Sequence, residues 1–330
     1  MLPARPEEGQ DFRAGAQVST PTSLDLPDAV RRTTVGTARG AFAALKAVPA
    51  SGVCEREAAL LVPGYTGSKE DFLAILDLLA DGSRQVVAID MRGQFETPGA
   101  DNPGDYEAAA LGADIAAVMH ATGARHLVGH SYGGLIGREA VLGGTGSGGE
   151  IASFTLMSSG PAALTGPRAK ELRAMLEELG AGDEGLPDGA ALRAGIAELW
   201  SAHLEPQAVA TGVPGHIVAF LGQRMLSNDP DGLVLMARHM LTAPDRTTEL
   251  ARLDQIPKLV IYGENDNSWS PEEQENMARR LSARRVCIPA AVHSPAVEAP
   301  ATTASALTKF WDAAETESAG PAVRMIPSLR

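Results

Sequence analysis

Gly129-His130-Ser131-Tyr132-Gly133 is the stretch of sequence that decides the fold. Residues 125–128 before it are typical of a short strand, and residues 134–141 after it are typical of a helix. A serine at such a turn is held in a strained backbone conformation that exposes its hydroxyl. Its flanking glycines are needed because a Cβ there would collide with the strand and the helix. The stretch therefore predicts a nucleophile elbow, although a simple Gly-rich turn remains the alternative at this point.

Short apolar segments alternate with longer amphipathic segments on both sides of the elbow. Continuous apolar runs that end at turn residues are typical of buried parallel strands, and strands that alternate with helices favour right-handed crossovers. Residues 34–48 predict an opening antiparallel hairpin. The other predicted strands are residues 58–62, 85–89, 125–128, 154–157, 258–262 and 286–288. The pattern predicts a mostly parallel sheet.

The interval 160–255 interrupts this alternation, because it carries helical stripes such as Leu172, Met175, Leu176 and Leu179 without a convincing strand. We interpret it as a helical insertion at the carboxyl edge of the sheet, where α/β folds bind ligands. The alternative is that these apolar residues form the core of another domain. The predicted organisation is a flexible N-terminal arm (1–26), a core (27–159 and 256–316), a helical lid (160–255) and a flexible tail (317–330).

Composition limits the classes of function. The chain has 330 residues, of which 44% are hydrophobic, and a formal net charge of −13. No basic run is present, so we expect neither nucleic acid nor an anionic membrane surface as a partner. No apolar run approaches the roughly 20 residues of a membrane span, and the N-terminal residues lack the pattern of a secretory signal. These features favour a cytoplasmic protein, and the content of Ala, Gly and Arg favours a bacterial, GC-rich source.

The two cysteines, Cys54 and Cys287, have no metal-ligand spacing. Their apolar neighbours predict that both are buried. We expect no metal site in this chain.

An elbow serine needs a base that takes its proton and an acid that orients the base. Both candidates follow later predicted strands, in the chain order serine, acid, histidine. Glu264 and Asp266 come after the strand 258–262, and His293 comes after the strand that contains Ile288. We interpret His130, beside the nucleophile, as structural because the neighbours of an elbow serine point away from it.

Together these motifs resemble the α/β-hydrolase superfamily. The resemblance covers residues 34–311 and is similar to members whose helical lid follows the sixth strand. It implies an α/β fold with an eight-stranded, mostly parallel sheet and helices on both faces. It also implies a Ser-acid-His triad and cofactor-free chemistry on esters, thioesters, amides or lactones. The motifs that carry it are residues 62–68, 89–93, 129–134 and 263–266, and His293-Ser294-Pro295 with Glu298 and Pro300.

The resemblance also implies roles for individual residues. Ser131 is the nucleophile, His293 is the general base and later acid, and Asp266, third after the glycine, orients the imidazole. The backbone amides of Tyr65 and Tyr132 form the oxyanion hole. The chain departs from the family at Pro63-Gly64, where many relatives have His-Gly, and in the loop 94–97 after Arg92-Gly93.

Substrate contacts are predicted from position. Phe95 lies in the unusual loop, Trp269 lies just after the acid, and four residues of the insertion are expected to face the site. These four are Met225, Met236, His239 and Met240. Methionines and aromatic residues around a site favour a medium-sized, apolar small molecule.

The resulting hypothesis is a serine hydrolase that acts through an acyl-enzyme on a fairly apolar ester or lactone. A carbon–carbon bond hydrolase uses a similar triad and remains open, as does a biosynthetic cyclase or ligand-binding member of the same fold. Dehalogenase and epoxide-hydrolase chemistry is disfavoured, because those relatives have an aspartate where this chain has Ser131. No pattern in the sequence predicts an oligomeric state.

Overall fold

A computed structural model describes residues 19–144, 151–182 and 185–318. Most of the predicted arm (1–26) and of the predicted tail (317–330) lies outside the described residues. Within them, Ser19 to Leu26 precede the first strand, and the last helix continues to Ser318, so it includes the first two residues of the predicted tail.

An eight-stranded sheet forms the centre of the molecule, with the spatial order β1-β2-β4-β3-β5-β6-β7-β8. Only β2 runs against the others, since it pairs antiparallel with both β1 and β4 and the remaining pairs are parallel. The predicted mostly parallel sheet and its opening hairpin are confirmed. The strands are β1 Val30–Thr37, β2 Gly40–Ala47, β3 Ala58–Val62, β4 Val86–Ile89, β5 Ala124–His130, β6 Ser153–Met157, β7 Lys258–Gly263 and β8 Arg284–Ile288.

Helices cover both faces of the sheet, which explains why its central strands are apolar without alternation. In β3, Leu60 and Val62 pack into one core cluster, whereas Ala59 and Leu61 pack into the other. The first cluster includes residues of α2 Ala108–Thr122, α3 Tyr132–Leu142 and α10 Pro271–Arg280. The second includes residues of α1 Leu73–Ala80, α11 Pro295–Glu298 and α12 Pro300–Ser318.

The chain between β6 and β7 is helical and, in its described part, contains no strand. Its apolar residues, such as Leu172 and Leu192, belong to the same core cluster as α2 and α3. They therefore extend the main core and do not form a separate one. The helices are α4 Gly166–Glu178, α5 Gly189–Leu199, a π-helical turn Trp200–Leu204, α6 Glu205–Ala210, α7 Gly215–Leu226, α8 Pro230–Thr242 and α9 Thr247–Ala251.

A buried ion pair fastens this helical segment to the core. Arg224 of α7 donates to Asp71 Oδ1 at 2.7 Å, and neither side chain is more than 2% exposed. A second guanidinium nitrogen of Arg224 donates to the Ser19 carbonyl at 2.7 Å. One side chain thus ties α7 to the loop after β3 and to the chain before β1.

Both cysteines are exposed, so the prediction that they are buried is wrong. Cys54 lies in the loop between β2 and β3, and Cys287 lies on β8, an edge strand that is mostly open to solvent. Within residues 19–144, 151–182 and 185–318, no group of three His, Cys, Asp or Glu side chains is arranged to hold a metal ion. No helix of that same part of the chain is long and apolar enough to cross a bilayer.

Candidate active site

Ser131 lies at the sharp turn between β5 and α3, with φ 53° and ψ −119°. Such a positive φ is strained for a residue with a Cβ. The turn is possible because glycines lie two residues before and two residues after the serine. A Cβ on Gly129 would overlap the Gly133 carbonyl, and a Cβ on Gly133 would overlap the Pro63 carbonyl oxygen. The backbone therefore holds the serine hydroxyl at the carboxyl edge of the sheet.

The structure brings Ser131, His293 and Asp266 into one line of hydrogen bonds. His293 Nε2 lies 3.0 Å from Ser131 Oγ, and His293 Nδ1 lies 3.0 Å from Asp266 Oδ1. His293 follows β8, and Asp266 follows β7. Since a carboxylate only accepts, Nδ1 carries the proton and Nε2 is free to accept the serine proton.

Asp266 is held in place by three donors. In addition to His293, the Ser268 N–H donates to Oδ1 at 3.0 Å, and Gln274 Nε2 donates to Oδ2 at 2.9 Å. Burial alone would raise the pKa of Asp266, but these hydrogen bonds and the adjacent imidazole outweigh it and hold the pKa below its usual value. The carboxyl is therefore ionised. Glu264 instead accepts the Ala290 N–H at 3.0 Å.

The backbone of His293 is also fixed on both sides. The Glu298 carboxylate accepts the Ser294 N–H at 3.0 Å and the Val292 N–H. His130 Nε2 donates to the His293 carbonyl at 2.7 Å. Burial and the nearby His293 lower the pKa of His130 to about 4, so its ring is neutral. His130 thus contacts the loop that carries His293, and its ring does not point away from the site but lies beside the His293 ring, with the centroids 5.1 Å apart.

The two residues predicted to form an oxyanion hole, Tyr65 and Tyr132, lie in the chain segments next to Ser131. Tyr132 is the first residue of α3, where a helix leaves its N–H groups without intrahelical acceptors and carries partial positive charge. Gly64, just before Tyr65, lies against the serine, because a Cβ there would be 3.0 Å from Ser131 Cβ. Gln94 Nε2 holds this loop by donating to the Gly64 carbonyl at 3.1 Å.

The side chains of the same two tyrosines reach the helical segment. The Tyr65 hydroxyl donates to the Leu233 carbonyl at 3.0 Å, and the Tyr132 hydroxyl lies 3.3 Å from His239 Nδ1. Both partners belong to α8. Burial raises the pKa of both phenols, so both are neutral.

A cavity of about 830 Å³ lies between Ser131 and the helices that follow β6. It reaches His293 and Tyr65 at one end, and α4, the π-helical turn, α6 and α7 contribute to its wall. Polar groups of the wall include Arg168 and Glu171, which pair with each other at 2.9 Å. The rest of the wall is mainly apolar and includes Leu172, Met175, Leu199, Leu204, Met225, Met240 and Trp269.

Residues 59–306 match the model of the alpha/beta hydrolase family. The chain belongs to this family. Among curated proteins, it is 36% identical over 93 residues, 28% of its length, to a protein of Variovorax paradoxus (strain S110) provisionally named carbamate hydrolase RutD. The chain spans only about a third, 35%, of that relative's length.

Solved structures of the alpha/beta hydrolase family share this fold along most of the chain. A thermophilic esterase from Thermogutta terrifontis superimposes with a TM-score of 0.63 at 24% identity, over 86% of this chain and 99% of its own. The enol-lactonase from Burkholderia xenovorans LB400 gives 0.62 at 17% identity, over 85% and 100%. At these identities the likeness shows the fold.

Three of the predicted substrate contacts of this alpha/beta hydrolase line the cavity, namely Met225, Met240 and Trp269. Phe95, Met236 and His239 do not, contrary to the prediction. Phe95 packs edge-to-face on Phe220, with the ring centroids 5.5 Å apart. Met236 is 1% exposed in the core, and His239 faces the Tyr132 phenol. All three therefore contact other protein side chains and not the cavity.

Proposed function

We propose that this alpha/beta hydrolase is a serine hydrolase that cleaves a medium-sized, apolar ester or lactone through an acyl-enzyme. The observation that carries the proposal is the unbroken line Ser131–His293–Asp266, with both hydrogen bonds at 3.0 Å. A strained serine, a neutral acceptor nitrogen and an ionised carboxylate in this order are the parts that nucleophilic acyl transfer requires.

The proposed reaction has two steps. Ser131 Oγ attacks the substrate carbonyl while His293 Nε2 takes its proton, and Asp266 stabilises the imidazolium that forms. The Tyr65 and Tyr132 amides would bind the oxyanion, a contribution of about 3–4 kcal/mol per donor to the transition state. His293 then protonates the leaving oxygen. A water molecule, activated by the same imidazole, releases the acyl group.

The cavity supports an apolar substrate. Its aliphatic and Trp269 surfaces favour burial of acyl or ring carbons, at about 0.8 kcal/mol for each methylene removed from water. We further propose that residues 160–255 act as a lid domain, because helices of this interval supply much of the wall opposite Ser131. The esterase and the enol-lactonase that share this fold agree with an ester or lactone as the substrate.

Replacement of Ser131 by alanine tests the proposal. Ser131→Ala should lower kcat/KM for p-nitrophenyl butyrate by at least about 10⁴-fold, because the nucleophile is removed. It should also prevent labelling by a fluorophosphonate probe, read by intact-protein mass spectrometry. Circular dichroism should show an unchanged fold.

Ser158→Ala is the matched control, since Ser158 is another buried serine with a positive φ, 46°, at the end of a parallel strand. It should keep wild-type turnover and labelling. Turnover by Ser131→Ala above a trace would contradict the proposal. A wild-type protein that neither labels nor hydrolyses esters would instead indicate a ligand-binding member of the family.

A further inference from the structure

Both residues whose amides are proposed to form the oxyanion hole are tyrosines, and both phenols hydrogen-bond to one helix, α8. We propose that α8 positions the oxyanion hole through Tyr65 and Tyr132. The placement of the helical segment over the site then sets the geometry of the two catalytic amides. This inference rests on the proposed function and assigns the two phenols a positioning role.

Tyr65 connects the first amide to α8. Its hydroxyl donates to the Leu233 carbonyl at 3.0 Å, and its backbone follows Gly64, which lies against Ser131. The next residue, Thr66, has a positive φ of 57°, so this loop is held away from a relaxed conformation. A shift of the Tyr65 ring therefore also moves the backbone N–H of Tyr65, because both are attached to the same Cα.

Tyr132 connects the second amide to the same helix. Its side chain is fully buried, and its ring meets the His239 imidazole edge-on, with the centroids 5.7 Å apart and an interplanar angle of 72°. His239 lies six residues after Leu233, which corresponds to about 9 Å along a helix axis. One rigid element thus spans both contacts.

The consequence for catalysis follows from the geometry that oxyanion donors require. They act only when they lie about 2.7–3.1 Å from the developing charge, and loss of one donor lowers kcat by about 10²–10³-fold. The same helix also contributes Met240 to the cavity wall. A substrate that brings α8 into close contact with the core would in this way also align the Tyr65 and Tyr132 amides.

A purely structural role for the tyrosines makes a different prediction. If the phenols only stabilise the fold, their removal lowers the melting temperature. The protein that remains folded then stabilises the catalytic transition state as well as the wild-type protein does. If they position the amides, removal weakens binding of a tetrahedral analogue in proportion to kcat/KM, because both depend on the oxyanion hole.

The test compares Tyr65→Phe, Tyr132→Phe and the double variant with Tyr106→Phe. Tyr106 is a matched control, because its ring packs against Gly232 of α8 and its hydroxyl hydrogen-bonds to Asp229 at the start of that helix, while its backbone carries neither of the proposed oxyanion amides. We measure kcat and KM for p-nitrophenyl butyrate, the inhibition constant of an alkyl trifluoromethyl ketone, and the melting temperature.

Tyr65→Phe and Tyr132→Phe should each lower kcat about tenfold or more, with KM within about twofold of the wild-type value. Each should also raise the inhibition constant of the ketone by the factor by which kcat/KM falls. Tyr106→Phe should change only the melting temperature. His239→Ala removes the Tyr132 contact from the helix side and should reproduce the effect of Tyr132→Phe, which keeps the test valid if that variant folds poorly.

Wild-type kcat/KM and ketone affinity in Tyr65→Phe and Tyr132→Phe would overturn the inference, as would an equal loss in Tyr106→Phe. Failure of the proposed function has a separate signature, since the wild-type protein would then show neither turnover nor fluorophosphonate labelling.

Discussion

Glu298 shows how much one side chain does for the site without touching its reacting atoms. Its two carboxylate oxygens accept the N–H groups of Val292 and Ser294, the residues on either side of His293. Because Glu298 is exposed, solvent screening reduces each such hydrogen bond below the value of about 1.5–3 kcal/mol for a buried charged acceptor. Glu298, in the short helix α11, therefore fixes the preceding loop that carries His293.

Glu298→Gln should lower kcat by about 10- to 100-fold with little change in KM, because a misplaced base costs transition-state stabilisation and leaves substrate binding intact. The amide NH₂ of the new side chain faces one of the two backbone N–H groups, so one hydrogen bond is lost. Steady-state kinetics with a p-nitrophenyl ester measure the effect.

Glu264→Gln serves as the control for this variant. Glu264 accepts the Ala290 N–H on the same loop at 3.0 Å and has no hydrogen bond with His293 in the structure. It should retain close to wild-type kcat. Equal activities of the two variants would show that the loop does not depend on Glu298.

Ser131, Asp266 and His293 could be proposed as a triad from the sequence, because the family places these residues after strands and in a fixed chain order. Gln274, which donates to Asp266, was not found, because its role depends on which face of α10 it occupies. The contact of His130 with the His293 carbonyl was also not predicted, because the two residues lie 163 positions apart along the chain. Contacts to a distant backbone leave no local pattern.

At the scale of elements, α7 is joined to the core by a buried ion pair, Arg224–Asp71, as well as by its apolar side chains. Burial raises the pKa of Asp71, and the Arg224 guanidinium and the Ser68 N–H act against this shift. A buried carboxylate that loses its cationic partner keeps the cost of burial without the compensating attraction. The pair therefore couples the position of α7 to the loop that carries Tyr65.

Arg224→Met should lower the free energy of unfolding by about 3–5 kcal/mol, because it leaves Asp71 buried without its cationic partner. The double variant Asp71→Asn, Arg224→Met should lose less than the single variant, since both charges are removed. Urea unfolding followed by circular dichroism measures both. A double variant that is less stable than Arg224→Met would contradict this account.

The helices of the insertion were predicted by their apolar stripes, but the residues that face the cavity were only partly predicted. Met225 and Met236 lie in similar stripes, and only Met225 reaches the cavity wall. A helix that contacts the core on one side and an apolar cavity on another is apolar on both sides. Hydrophobic periodicity cannot distinguish the two faces.

At the scale of the whole molecule, His126 joins the sheet to the last helix. Its Nδ1 lies 2.8 Å from Ser153 Oγ of β6, its Nε2 donates to Glu315 of α12 at 3.0 Å, and its ring stacks on Trp311. Burial, with Arg84 and Arg125 nearby, lowers the pKa of His126 to about 4, and Glu315 only partly opposes this. The folded protein keeps this imidazole neutral.

His126 should therefore make the folded protein less stable as pH decreases from about 6.5 to 4, whereas Asp90, whose pKa burial raises to about 7, acts in the opposite direction over this range. In this range the unfolded chain binds a proton at residue 126 that the folded chain does not bind, so acid favours unfolding by roughly 3 kcal/mol at pH 4. His126→Gln should make the decline shallower, with part remaining because the pKa of His130 is lowered in the same direction.

Denaturant unfolding at several pH values measures this slope. His120→Gln, on the exposed side of α2, is the control and should leave the slope unchanged. A slope in His126→Gln as steep as in the wild-type protein would show that His126 does not govern acid stability.

The position of Trp269 makes it an intrinsic fluorescence probe of the cavity. Its indole lines the cavity and is anchored by a hydrogen bond from Nε1 to the Ala162 carbonyl at 3.1 Å. The chain has two other tryptophans, Trp200 and Trp311, and neither belongs to the cavity wall formed by the described residues. Intrinsic fluorescence should therefore respond when a compound enters the cavity, and Trp269→Phe should silence the signal. Libraries of colourless esters and lactones can be screened in this way before any product assay exists.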